Sequence, residues 1–190
     1  MKSFFALVVL ALGVSFGASA ASAQMAMKSD GNPMVGGAAM YKTKNIVENA
    51  VNSKDHTTLV AAVMAAGLVD TLKSAGPFTV FAPVNSAFDK LPAGTVATLL
   101  KPENKDMLTK ILTYHVVAGN MDSKAIAKAI KKGKGTATFT TVAGGKLTAK
   151  MNGKMLVLTD EKGGMSTVTI ADVRQSNGVI HVVDTVLMPN

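Results

Sequence analysis

The sequence predicts an α+β domain, with helices mainly in its first half and strands mainly in its second. Apolar residues recur at helical spacing in several short segments between residues 46 and 132. From residue 136 onward, β-rich runs alternate with Gly-rich or Asn-Gly turns. Such a distribution favours helices packed against an antiparallel sheet or sandwich.

The first 23 residues have the organisation of a secretory signal peptide. Lys2 precedes an apolar run over residues 4–16, and the small residues Ala21, Ser22 and Ala23 form an A-x-A cleavage site before Gln24. The apolar run is shorter than the roughly 18 residues needed to span a bilayer. We therefore predict cleavage near Ala23-Gln24, no transmembrane segment in the mature chain, and a secreted, periplasmic or cell-surface location.

Residues 24–42 are rich in Met, Gly, Ala and Ser and show no regular period, which predicts a flexible tail before a folded domain at residues 43–190. Met-x-Met clusters outside the cytoplasm can bind copper. No His or Cys accompanies these methionines, so a low-complexity linker is favoured over a metal site. The chain has no cysteine, which excludes a disulfide framework and a lipoprotein anchor.

The helical part begins with an amphipathic segment around Ile46, Val47 and Ala50. A second helix has Asp55 as its candidate N-cap and ends before Gly67. Three short elements follow it along the chain. They are a helical piece at 68–74, a buried strand at 78–81 after Gly76-Pro77, and a short helix at 86–90.

Two further helices are predicted at residues 95–100 and 104–113, with Asn104 as a plausible N-cap of the second, and strand character returns at 114–117. Asp122 or Ser123 then caps a helix that ends before Gly133. The remaining β-rich runs cover residues 136–141, 146–150, 155–159, 167–173 and 179–187.

The formal net charge is +8 and comes almost entirely from lysine, which favours acidic partners. The chain has no Trp and only two Tyr, so it offers no stacking platform for nucleic acid. A cell-surface protein, an anionic polysaccharide or lipid headgroups fit better. The alternative is that dispersed lysines only keep the domain soluble.

Three segments in order resemble the signatures of the fasciclin domain family. The first is Gly-Pro-Phe-Thr-Val-Phe-Ala-Pro-Val-Asn-Ser-Ala-Phe at residues 76–88, and the second is the Tyr114-His115 pair with Val-Val-Ala-Gly after it. The third is Asn-Gly-Val-Ile-His-Val-Val-Asp-Thr-Val-Leu-Met-Pro at 177–189. The resemblance covers nearly all of residues 44–189.

This resemblance implies a β-sandwich wedge with a helical layer, found in extracellular adhesion proteins. It also implies a contact segment just before the Tyr-His pair. The predicted binding residues are therefore Asn104, Lys105, Asp106, Met107, Leu108 and Lys110, together with Tyr114 and His115.

Strand alternation predicts that only one of Tyr114 and His115 enters the core. A buried imidazole needs partners for both ring nitrogens, and Asn85 is a candidate partner of His115. A structural hydrogen-bonding role is favoured for His115, and also for His181, which lies among apolar residues.

The sequence contains no recognisable catalytic centre or metal site. Its three histidines are dispersed, its carboxylates lie in different predicted elements, and Ser86 lacks the frame of a hydrolase nucleophile. We therefore predict a non-enzymatic adhesion module that needs no cofactor. The alternatives are a small-ligand-binding periplasmic protein or hydrolase with a pocket between helices and sheet, and an envelope component with no discrete site.

Overall fold

A computed structural model describes residues 31–190. The predicted signal peptide, Met25 and Met27 lie outside the described residues. The helices are α1 (Ile46–Ala50), α2 (Thr57–Ala66), α3 (Val69–Lys73), α4 (Asn85–Asp89), α5 (Thr95–Leu99), α6 (Lys105–Tyr114) and α7 (Ser123–Lys132), with 3-10 turns at Lys54–His56 and Pro102–Asn104. None of the helices within residues 31–190 has the length and apolar character needed to cross a membrane.

The strands are β1 (Met34–Val35), β2 (Ala38–Ala39), β3 (Phe78–Pro83), β4 (Val116–Ala118), β5 (Thr136–Thr140), β6 (Lys146–Asn152), β7 (Met155–Thr159), β8 (Met165–Gln175) and β9 (Gly178–Val183). β1 and β2 form a small hairpin. The other seven form one sheet in the order β4-β3-β9-β8-β7-β6-β5. Its pairs are antiparallel except β3 with β9, which is parallel.

The sheet bends into the predicted wedge. The long strand β8 has register shifts between Val168 and Val173, and such irregularities bend a strand and increase its twist. An isolated bridge between Val117 and Thr141 links β4 to the residue after β5. The two halves of the sheet therefore face each other, and the α+β class with helices early and strands late is confirmed.

Two hydrophobic cores lie on opposite faces of β3 and β9. Val80 and Ile180 pack with the residues of α1 to α6 in the first core. Phe81 and Val183 point the other way, into a second core with strands β5 to β7 and the apolar face of α7. This alternation follows from the two-residue period of a strand.

Helix ends confirm some predicted caps and correct others. Gly67 ends α2 in the left-handed conformation with φ 71°, and the Asp122 side chain accepts a hydrogen bond from the Ala125 backbone at the start of α7. Asp55 instead lies inside a 3-10 turn, and Asn104 makes no side-chain capping bond to α6. Both helices are preceded by 3-10 turns, which displace the helix start from the residue that the sequence indicates.

The interpretation of residues 24–42 as a flexible tail is wrong for its described second half. Val35 and Met40 are only 4% and 2% exposed and belong to the first core. The Gly36 carbonyl accepts a hydrogen bond of 3.1 Å from the Lys54 backbone, which ties the hairpin to the domain. Two-residue strands are too short to show a period in sequence, which explains the error.

The two methionines of this hairpin make a matched test. We expect Met40→Ala to lower the free energy of unfolding by about 2 to 5 kcal/mol because it leaves a cavity in the core. Met34, which is 39% exposed, should change stability little when replaced by Ala. Urea denaturation of both variants checks this, and equal, small effects would show that the hairpin does not contribute to the folded domain.

Candidate binding surfaces and buried polar sites

Tyr114 and His115 both enter the interior, although strand alternation predicted only one. Tyr114 is the last residue of α6 and His115 is its C-cap, and β4 begins only at Val116. Successive side chains on a helix are 100° apart, so neighbours can share a buried side. Tyr114 is fully buried and His115 is 3% exposed.

The Tyr114 hydroxyl joins two strand ends. It donates to the Lys146 carbonyl at 2.7 Å and accepts from the Glu161 backbone N–H at 3.2 Å. Burial raises the pKa of Tyr114 to about 12, and the nearby carboxylates of Glu161 and Asp160 act in the same direction. The phenol therefore stays protonated and serves as a structural donor.

His115 uses both ring nitrogens inside the protein. Nδ1 lies 2.8 Å from the Ile111 carbonyl, and Nε2 accepts from the Leu187 backbone N–H at 3.0 Å. These partners fix a neutral ring with the proton on Nδ1. Burial lowers the pKa of His115. These two contacts hold the end of α6 against the C-terminal segment, so His115 has a structural role.

Asn85 is not the partner of His115, which corrects the sequence-based hypothesis. Its Oδ1 accepts from the Thr58 backbone at 3.0 Å and from the Thr57 hydroxyl at 3.2 Å. Its Nδ2 donates to the Lys54 carbonyl at 2.8 Å. Asn85 thus satisfies the Thr58 N–H at the start of α2, which has no side-chain cap from its own N-cap residue.

His181 is fully buried in β9 and also has partners for both nitrogens. Nε2 lies 2.8 Å from the Met121 carbonyl, and Nδ1 accepts from the Asp172 backbone at 3.4 Å. Its ring stacks on Phe81 with centroids 5.6 Å apart. Burial lowers its pKa. The contact with the Met121 carbonyl joins the sheet to the segment that leads into α7.

Asn177 is a structural residue whose side-chain role the sequence did not reveal. Its Oδ1 accepts from the Ile46 backbone at 3.1 Å, and its Nδ2 donates to the Leu72 and Ser74 carbonyls at 2.7 and 2.9 Å. One side chain thus connects the β8–β9 turn to α1 and α3. The Asn-Gly pair signalled the turn, but nothing in the sequence identified partners more than 100 positions away.

The predicted contact segment divides into an exposed and a buried part. Lys105, Asp106, Met107 and Lys110 are exposed, and Met107 is 57% exposed. Asn104 is half-buried and donates to the Thr98 carbonyl at 2.8 Å. Leu108 is 4% exposed and belongs to the first core. Leu108, Tyr114 and His115 are therefore corrected from contact residues to structural ones.

A second exposed face, on α7, carries one sign of charge. Lys124, Lys128 and Lys131 are exposed and lie within about 60° of each other around the helix axis, while Ile126 and Ile130 are buried on the opposite side. Within residues 31–190 none of these three lysines forms an ion pair. We call these three residues the α7 lysine face.

The described residues show no arrangement suited to a metal. Within residues 31–190 no three side chains from His, Asp or Glu lie close enough together to coordinate one ion. The Asp172 carboxylate lies near a histidine-bearing strand, but it accepts from the Ser123 N–H and hydroxyl at 2.6 and 2.5 Å. That carboxylate supports the start of α7.

Comparison with known proteins identifies the family. The model of the fasciclin domain matches residues 54–189. The chain belongs to the fasciclin domain family. A Synechocystis protein, sll1483, is 46% identical over 188 residues, covering 98% of this chain and 94% of the relative. The immunogenic protein MPB70 of Mycobacterium bovis is 39% identical, covering 74% of this chain and 66% of the relative.

The fasciclin fold is also shown by a solved structure. A FAS1 domain pair from the insect cell adhesion molecule Fasciclin I matches with a TM-score of 0.67 at 18% identity, covering 76% of this chain and 51% of that one. A further relative, the transforming growth factor-beta-induced protein ig-h3 of Sus scrofa, is 36% identical over 131 residues, and the match covers 17% of its length. The fold of the present chain is thus shared with domains of an insect cell adhesion molecule.

The buried histidines predict an acid-sensitive domain. Burial lowers the pKa of His56, His115 and His181 from 6.5. As the pH falls below about 6.5, the unfolded chain therefore takes up protons that the folded chain does not, and stability decreases. We expect the free energy of unfolding to fall by up to about 1.4 kcal/mol per pH unit for each such histidine.

Urea denaturation between pH 7.5 and 5 measures this slope, above the range in which carboxylates titrate. His115→Gln should lower stability at pH 7.5 and reduce the slope by up to about 1.4 kcal/mol per pH unit, because one of the three buried histidines is removed. A slope unchanged by this substitution would assign the acid sensitivity to other groups.

Proposed function

We propose that this fasciclin domain is an extracytoplasmic attachment module that binds an anionic polysaccharide or an acidic surface protein. The observation that carries the proposal is the α7 lysine face. Three exposed ammonium groups, Lys124, Lys128 and Lys131, lie on one side of a helix with no acidic residue in it. Repeated negative charges on a polymer can contact such a row together, and each contact adds to the attraction.

The neighbouring groove extends this basic surface. Lys154, in the turn between β6 and β7, lines a groove together with Lys124 of α7. Met151 and Met155, 42% and 53% exposed, line the same groove. Apolar side chains between cations suit a sugar ring or a side chain that carries both a charge and an apolar face.

The family comparison supports the same class of function. A similar solved structure comes from an insect cell adhesion molecule. Another relative, MPB83 of Mycobacterium bovis, is named a cell surface glycolipoprotein and is 38% identical over 122 residues. The segment with Lys105, Asp106, Met107 and Lys110 is the proposed second contact surface, for a protein partner, because its exposed charges are mixed in sign and surround an apolar side chain.

The α7 lysine face can be tested by matched charge removal. We expect the triple variant Lys124→Gln, Lys128→Gln, Lys131→Gln to bind immobilised alginate about tenfold more weakly, since three exposed charge contacts together contribute roughly 1 to 2 kcal/mol. Binding of the unmodified protein should weaken markedly between 50 and 500 mM NaCl.

The control variant is Lys42→Gln, Lys73→Gln, Lys162→Gln, which removes the same charge from exposed lysines elsewhere. It should retain most of the affinity for alginate. Equal losses in the two triple variants would mean that net charge, and not the α7 lysine face, determines attachment. Binding to neutral dextran measures the background.

The α6 segment needs a different readout, namely attachment to cell surfaces. Asp106 and Lys110 are exposed and form no ion pair with each other within residues 31–190, since Lys110 donates to the Asn190 carbonyl instead. Even a formed pair at this spacing would contribute only about 0.2 to 0.5 kcal/mol to stability. The double variant Asp106→Ala, Lys110→Ala should therefore melt nearly normally but attach less well. Leu108→Ala should lower stability by roughly 2 to 5 kcal/mol through a core cavity. Full attachment by the folded double variant would remove this segment from the contact surface.

A further inference from the structure

A cavity of about 80 Å³ lies between the N-terminal hairpin, α1, α2 and the sheet. Its walls are almost wholly apolar and include Val35, Met40, Val47, Val63 and Ile180. Met64 and Val142 also line it, and these two side chains are 57% and 49% exposed. The cavity therefore reaches the surface of the domain beside them.

One polar side chain in this wall is incompletely bonded. His56 is 3% exposed, and its Nδ1 is paired with the Ser53 hydroxyl at 2.8 Å. Its Nε2 is buried and has no hydrogen-bond partner within residues 31–190. The Ala82 backbone lies near enough to the ring to raise its pKa in part, but its geometry falls short of a hydrogen bond to Nε2. His56 lines the cavity.

The other two histidines show that this state is specific to His56. Both ring nitrogens of His115 and of His181 have partners. Buried polar groups in folded proteins are nearly always hydrogen-bonded, so an exception calls for an explanation, and a group bound in the adjoining cavity would supply one.

We propose that the cavity binds the hydroxyl-bearing end of a small apolar molecule, and that the hydroxyl is hydrogen-bonded to Nε2 of His56. A hydroxyl both donates and accepts, so it can pair with Nε2 in either tautomer of the ring. An anionic group is disfavoured because burying a charge among apolar side chains without an opposite charge is costly.

The volume limits what can enter. A cavity of about 150 Å³ accommodates benzene, so this one accommodates about three or four non-hydrogen atoms. A longer chain would extend past Met64 and Val142 to the surface. The lysines of α7 do not line this cavity, so the proposal is independent of the attachment function.

The test compares two ligands that differ in the hydroxyl alone, 1-pentanol and n-pentane, titrated into the full secreted protein and followed by methyl NMR shifts of Val47, Val63 and Ile180. We expect both to bind and 1-pentanol to have a Kd about two- to tenfold lower, the range that corresponds to a single added hydrogen bond. The Nε2 ¹⁵N shift of His56 should move only with the alcohol.

Variants separate the anchor from the cavity. His56→Phe keeps a ring of similar size but removes the nitrogen, so it should bind pentane as before and lose the preference for pentanol. Ile126→Val, in the second core, should change neither affinity.

Two results would overturn the proposal. One is equal Kd values for pentanol and pentane, and the other is a His56 Nε2 shift that stays constant during the alcohol titration. The second measurement needs only the unmodified protein, so it decides the matter even where a variant does not fold. A water bound at Nε2 that pentanol does not displace would likewise assign the missing partner to solvent.

Discussion

The parallel pairing of β3 with β9 is the constraint on which the other parts of this domain depend. The two strands lie about 100 positions apart in sequence, and every residue of β9 is buried. One face of the pair packs against the first core, with the helices α1 to α6, and the other face packs against the second core. The backbones of the two strands come very close to each other where the pairing begins. A Cβ on Gly178 would lie 2.1 Å from the Phe78 carbonyl oxygen, so only glycine fits. Without this pair, both cores would lose the strand residues that close them on the side of the sheet.

Buried polar side chains then fasten the peripheral elements to this pair. His181 holds the segment before α7, His115 holds the C-terminal segment to α6, and Asn177 holds α1 and α3. Each of them satisfies backbone groups that the sheet or a helix leaves unpaired, where an unmet bond would cost about 1 to 3 kcal/mol. The alternative is a wholly apolar interior, which would leave these backbone groups without partners. His56 differs because its buried Nε2 has no hydrogen-bond partner, and it is the only such side-chain nitrogen or oxygen among the described residues. This is why His56 is the proposed ligand-binding residue, whereas the other two histidines are structural.

The parts of this fold that sequence predicts are those with a local cause. Helical spacing located α2, α6 and α7, and Gly-rich or Asn-Gly turns located β5 to β9, because these signals act between residues a few positions apart. The errors have non-local causes. The hairpin at Met34–Ala39 is ordered by contacts with the first core, and Asn85 and His115 acquired partners that no spacing rule identifies. The family resemblance identified the correct fold but not these pairs.

The same distinction explains why the family motifs identify the fold more sharply than the partner. Many of the residues that made the resemblance specific, including Phe81, Tyr114, His115 and His181, are buried within the domain. Their contacts lie inside the domain, so in this chain they hold the wedge together whatever it binds. The proposed attachment instead depends on exposed residues such as Lys124 and Lys128, which belong to neither core. Surface charge can therefore vary without disturbing either core, and this is why the proposal of an anionic partner rests on the lysines of α7 and not on the family motifs.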